Sequence, residues 1–224
     1  MAKDGGTSPI SLPKGGGALK GIGEAFAPDL HTGTGNFTVP IALPSGRNGF
    51  QPQLSLVYST GNGNSAFGLG WNLTVPGVSR KTAKGIPRYD DASDIFVLSG
   101  AEDLVPVSGD RPGLVEYRPR TEGLFARIAH HRDVASDYWD VRTKDGLRSV
   151  YGTPEAVIAD PDIEGARKIF AWNLLSTVDL FGNRIQYECE RDAGSDGTRF
   201  WDQLYLKRIR YVDFDDATTG ETRF

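Results

Sequence analysis

Apolar side chains in this chain recur at every second position, in short runs that end at glycine, proline or asparagine. A two-residue period puts those side chains on one face of a strand, whereas a helix would need a period near 3.6. The pattern therefore commits the chain to many short strands. Phe37, Val39 and Ile41 alternate with Thr38, Pro40 and Ala42, and Pro40 predicts that this strand lies at a sheet edge. Pro44 to Gly49 reads as a turn, after which Leu54, Leu56 and Tyr58 alternate with Gln53 and Ser55. The longest alternation follows: Phe67, Leu69, Trp71, Leu73 and Val75 share one face, with Gly68, Gly70, Asn72 and Thr74 on the other. That face is expected to bury a core, as is Phe170 to Val178.

Ile95-Phe96-Val97-Leu98 is continuously apolar and predicts a strand covered on both faces. Weaker strand signals lie at Leu114 to Tyr117, Leu124 to Ala129, Tyr138 to Arg142 and Arg148 to Tyr151, separated by turns such as Arg111-Pro112-Gly113 and Lys144-Asp145-Gly146. Phe170, Trp172 and Leu174, the turn Asp179 to Asn183, then Ile185, Tyr187 and Cys189 form a hairpin pattern. Residues 201–212 fit helix or strand spacing, and their strand-rich surroundings favour strand. The predicted class is all-β: multiple short antiparallel strands in a curved sheet or sandwich-like shell segment. Residues 1–35, with Gly15-Gly16-Gly17, read as a glycine-rich extended arm, and residues 36–224 as the β domain.

Twenty-five basic residues against 29 acidic ones give a net charge of −4. The chain carries no basic excess to collect phosphates, which argues against nucleic-acid binding. With Cys189 as its only cysteine it forms no internal disulfide and no cysteine-pair zinc site. No segment has the length of an apolar membrane span, and Met1 to Gly6 opens no apolar signal stretch. The expectation is a protein released without a cleaved signal, cytoplasmic before release, and cut from something longer after Thr222-Arg223-Phe224.

Five ordered blocks carry a family resemblance. They are Ser11 to Ala18 continued by Gly21-Ile22-Gly23-Glu24; Gly33-Thr34-Gly35 through Val39-Pro40-Ile41; Pro52 to Leu56 through Tyr58; Phe67-Gly68-Leu69-Gly70-Trp71; and Ser99 to Pro106. Together they resemble the N-terminal domain of the Salmonella virulence plasmid protein B family, which includes the B components of insecticidal toxin complexes. Ser176 to Ile185 is similar to the strand-turn-strand units of Rhs and YD-repeat proteins, whose aromatic strands coil into a hollow shell. The resemblance implies a non-catalytic structural module of a secreted toxin or virulence protein, part of a wall around a toxic effector. Its implied partners are the remainder of its own polypeptide and a C-type toxin component.

Two other readings were weighed against it. Some relatives carry an ADP-ribosyltransferase domain with a Glu-x-Glu pair; here Glu188-Cys189-Glu190 has the spacing, with Ser176-Thr177 and Arg167 upstream, but both glutamates alternate with Tyr187 and Cys189 as a strand's wet face. Trp139, Trp172, Tyr187 and Trp201 suggest a carbohydrate platform, yet their period-2 settings suit a core. Asp160 to Gly165 mimics the start of a calcium loop whose twelfth position is Ala171 in place of the bidentate glutamate. Asp90, Asp91 and Asp94 read as a hydrated acidic loop. His130 and His131 point to opposite faces of a strand and so do not grip one ion, and Cys189 reads as a small, buried residue. No catalytic, cofactor or metal residue is assigned.

Overall fold

The computed structural model describes residues 25–28, 35–100, 102–121, 123, 125–133, 136–158, 168–215 and 222–223. The arm's first 24 residues, the Asp160 to Gly165 loop and Arg167 lie outside them. The described residues divide into two compact units, one holding residues up to Ile41 and Ser55–Leu73, the other Ala42–Leu54 and Thr74 onwards.

In the first unit, β1 (Ala25–Pro28), β2 (Gly35–Ile41), β3 (Leu54–Ser59) and β6 (Trp71–Leu73) form one sheet in the order β1-β2-β3-β6. The short β4 (Asn64–Ser65) and β5 (Gly68–Leu69) pair with each other alone. Pro40 therefore sits on an inner strand rather than an edge, two residues past Thr38, the last described β2 residue paired with β1. The predicted continuous strand from Phe67 to Val75 is broken at Gly70, whose φ of 81° only glycine holds without strain. Phe67 and Leu69 are exposed as a result; beyond the break Trp71 packs edge-on to Phe37 and tilted against Tyr58, and Val75 packs against the core of the second unit's strands.

The second unit is a closed barrel. Its eight strands are β7 (Gly77–Arg80), β8 (Phe96–Leu98), β9 (Glu102–Arg111), β10 (Leu114–Pro119), β11 (Arg127–Arg132), β12 (Asp137–Arg142), β13 (Arg148–Ile158) and β14 (Ile169–Val178). Each pairs antiparallel with the next, and β14 also pairs with β7, so the sheet closes on itself. The expected all-β antiparallel class holds, in the form of a barrel rather than an open curved sheet or sandwich. Closure removes the two free edges that an open sheet would present. The Arg148 to Tyr151 strand runs on to Ile158 by way of a bulge, since β13 spends Tyr151 to Ala156 where β14 spends Leu174 to Trp172.

Strand β14 has two halves. Ala171 to Asn173 pair with β7, and Ser176 to Val178 pair with β15 (Asn183–Asp196), which leaves the barrel and runs against β16 (Arg199–Asp215) as a long two-stranded ribbon. β17 (Thr222–Arg223) adds two residues at the far end of β16. The ambiguous stretch 201–212 is thus strand. Arg191 fastens the ribbon to the barrel, with one guanidinium nitrogen on Asp202 and the other on the Ala156 carbonyl, while Leu206, Ile209 and Tyr211 pack against the core.

The barrel is filled. Phe96, Ile128, His130, Trp139, Ile169 and Trp172 are almost wholly buried, joined by Tyr117, Tyr151, Ile185 and Tyr187. The aromatic rings meet edge to face, Phe96 standing 5.0 Å from Trp139 and 5.6 Å from Trp172, a geometry that adds to plain burial. Such an interior is a packed core and not a channel.

Burial pushes the phenols of Tyr117, Tyr151 and Tyr187 up to about 12. These groups hold their protons more tightly folded than unfolded. The stability this represents is complete below the unfolded value, about 10, and is lost as pH rises towards 12. Alkaline denaturation followed by phenolate absorbance is expected to show their ionisation only with loss of the fold; their free titration near 10 in the folded protein would contradict it.

Candidate functional site

A polar constellation lies at the end of the barrel opposite the Lys144 to Gly146 turn, where β7, β11, β12 and β14 converge on the segment 81–95. Arg80 is buried to 5% exposure. Its Nε donates to the Ile169 carbonyl at 2.7 Å, Nη1 to Asp94 at 2.9 Å and Nη2 to Asp91 at 2.7 Å. The guanidinium also lies 4.9 Å from the Phe96 ring centroid and 5.6 Å from that of Trp172. All three nitrogens are satisfied, as a buried cation requires.

Asp91 takes a second guanidinium, that of Arg132, so that one carboxylate ties β7 to β11. Asp94 also accepts the backbone N–H groups of Arg88 and Tyr89, which folds the segment 81–95 back over the barrel end. The expected hydrated acidic loop is met at exposed Asp90 and not at these two neighbours, which are the counter-ions of a buried cation. Sequence reading missed this because Arg80 stands at the end of a short strand as a charged residue; its alternation with Val78 was the available signal of burial.

Next to it, Asp137 accepts from the Trp172 indole Nε1 at 2.7 Å and lies 2.8 Å from His130 Nε2. His130 stacks flat on Trp139, 4.1 Å between centroids, and its Nδ1 lies 3.9 Å from Asp91. Gly152 makes room for this link: its φ is 115°, and a Cβ there would stand 2.6 Å from the Asp137 carbonyl and 2.7 Å from Trp172 Cδ1. The two histidines point apart, as a strand dictates: His131 faces outward and stacks on Tyr138. This constellation joins strands; its charged atoms point at one another.

The other predicted positions are scattered. Glu188 pairs with Arg210 and Arg208, and Glu190 with Lys207, all across the β15–β16 ribbon, while Ser176 and Thr177 lie on β14. Trp139, Trp172 and Tyr187 are core residues, and Trp201 is 44% exposed on the ribbon, where it lies over Gly194 and donates to Asp192. The four aromatics thus form no common platform. Cys189 is half-buried and 3.7 Å from Asn173 Nδ2. Among the described residues no group of three histidine, cysteine or acidic side chains is placed to hold a metal ion, and no helix is long and apolar enough to cross a membrane.

If Arg80 holds the barrel end together, Arg80→Met leaves Asp94 without its cation and Asp91 with Arg132 alone, and is expected to lower unfolding free energy by about 3–5 kcal/mol. Arg132→Ala, an exposed partner, is expected to lose about 1 kcal/mol or less. Urea denaturation of both variants checks the difference; equal small losses would show that the cluster is incidental.

The family model of the Salmonella virulence plasmid 65kDa B protein matches residues 29–221. The Mono(ADP-ribosyl)transferase SpvB of Salmonella typhimurium is 32% identical over 209 residues, an alignment covering 84% of this chain and 34% of that protein. The chain therefore spans about a third of the length of the curated relatives it matches. Among solved structures, TcdB2-TccC3 superposes with a TM-score of 0.73 at 30% identity, over 92% of this chain and 11% of that one. The N-terminal domain of effector protein SpvB from Salmonella typhimurium strain LT2 gives 0.64 at 29% identity, over 78% of this chain and 63% of that one.

Proposed function

This chain belongs to the Salmonella virulence plasmid 65kDa B protein family, and we propose that it is a non-catalytic module of a bacterial toxin or virulence protein, one segment of a β-rich wall that encloses or delivers a toxic effector. Its work is to fold rigidly and to present surface to neighbouring protein. The observation that carries this reading is the pairing of a filled barrel with an open ribbon. The barrel interior is occupied by aromatic side chains, leaving no room for cargo or substrate inside it. Outside, among the described residues, β16 pairs along its length with β15 on one side and with only two residues of β17 on the other. Phe200, Trp201 and Tyr205 stay exposed beside that open edge. A long open edge with exposed aromatics is a liability in isolation and a joining surface in a larger assembly.

Partners in this reading are the remainder of the same polypeptide, whose strands continue the Rhs-like wall, and a C-type toxin component. The module acts outside the producing cell. The similarity of the chain to components of solved toxin assemblies supports both points.

The competing reading is that the chain itself transfers ADP-ribose, as the name of its longer relatives says of them. Here Glu188 and Glu190 are engaged in cross-strand ion pairs on an exposed ribbon. Incubation of the chain with labelled NAD and cell extract is expected to label nothing. Label transfer that vanishes in Glu190→Ala would overturn the non-catalytic reading.

A further inference from the structure

The outer wall of the barrel carries a second constellation that the wall reading does not use. Outward positions of β10 to β13 form a depression of about 270 Å³, and its rim is built from Arg127, Arg142 and Arg148. Two of these guanidiniums are held from below. The Asp140 side chain is only 8% exposed, and it accepts Arg142 Nε at 3.1 Å on one oxygen and Arg148 Nε at 2.7 Å on the other. Burial pushes the Asp140 carboxyl up, but the hydrogen bonds and charges of the two arginines outweigh it and hold it below its ordinary value. A buried, ionised carboxylate thus fixes the roll of two exposed planar forks, Arg142 at 58% and Arg148 at 50% exposure. Arg142 meets Asp140 through Nε, whereas Arg148 lays both Nε and Nη2 on one Asp140 oxygen, Nη2 at 2.6 Å.

The remaining surface is apolar and flat. Leu114 and Ala129 line the depression, and His131 lies on the Tyr138 ring at 4.5 Å with planes 3° apart. Burial, the largest influence on it, lowers the His131 pKa, so this plate is a neutral one near pH 7. Charge is unbalanced in one direction: three arginines stand against Glu116, which is bound to Arg127, and Asp140. The face holds one cation more than it can pair, on a chain whose net charge is −4.

We propose that this face is a docking site for an acidic polypeptide segment, which seats a glutamate side chain with its carboxylate on the Arg142 fork and Arg148 Nη1 and its methylenes against Leu114, Ala129 and the His131–Tyr138 plate. Planar forks match a carboxylate with two parallel hydrogen bonds. A single negative charge completes the balance, whereas a phosphate would bring a second charge towards Asp140. The apolar floor has a use for the methylenes of glutamate and none for a bare inorganic ion.

The test is titration of the isotope-labelled chain with blocked tetraglutamate at low salt, read from the Nε–H resonances of Arg142 and Arg148. Saturable shifts confined to these arginines and to His131 and Tyr138 are expected, with none from blocked tetraglutamine. R142Q/R148Q is expected to weaken binding by about tenfold or more, the scale of a charge-assisted pair of hydrogen bonds. If that double variant loses its thermal unfolding transition, R142K decides: it keeps charge and Asp140 contact but lacks the fork, and is expected to weaken binding as well. Absent shifts, shifts spread evenly over all arginines, or unchanged affinity in the variants would overturn the site. Equal shifts with inorganic phosphate would mark a small-oxyanion site and overturn the peptide assignment.

Discussion

The hydrogen bond from the Trp172 indole to Asp137 crosses the barrel interior from β14 to β12, over the strand that separates them, and the rest of the fold is arranged to permit it. Gly152 vacates the space through which the indole passes, and the bulge in β13 lengthens that strand so that its register resumes on the far side. Asp137 is kept from being an isolated buried carboxylate by His130, and His130 is kept in place by its stack on Trp139. Arg80 continues the chain of contacts to β7 and the segment 81–95. Buried polar groups cost least when they are bonded to one another, and here one set of bonds holds four strands at one end of the closed sheet, while His130 Nδ1 and Trp139 Nε1 beside it make no hydrogen bond.

That constraint separates what could be read from the residues and what could not. Phe170, Trp172 and Leu174 alternate as a strand with a buried face, and the turn from Asp179 to Asn183 has its expected place because Asp179 accepts the Phe181 and Asn183 N–H groups. The opposed directions of His130 and His131 follow from strand geometry alone. Closure was not legible, because β14 meets β7 across some ninety residues of sequence, and no local pattern encodes such a pairing. Nor was the break after Leu69: the period-2 pattern runs straight through Gly70, and backbone conformation, not hydrophobicity, ends the strand there. The carboxylates at Asp91 and Asp94 look like ordinary hydrated loop residues until the buried guanidinium opposite them is known.

The consequences for function follow from rigidity. A barrel whose interior is packed with interlocking rings is suited to act as a fixed support. It positions the β15–β16 ribbon through Arg191 on one side, and on another wall it orients the Arg142 and Arg148 forks through buried Asp140. Both outward features depend on groups anchored from within, so the surface inherits its order from the core.

The Trp172–Asp137 link belongs to the cooperative core of the barrel, and hydrogen exchange at the Trp172 indole N–H tests this directly. Exchange is expected only through global unfolding, slowing and quickening with denaturant in step with the slowest backbone amides of β12 and β14. Rapid exchange of that indole under native conditions, independent of denaturant, would show that the barrel end opens by itself and that the link is peripheral to the core.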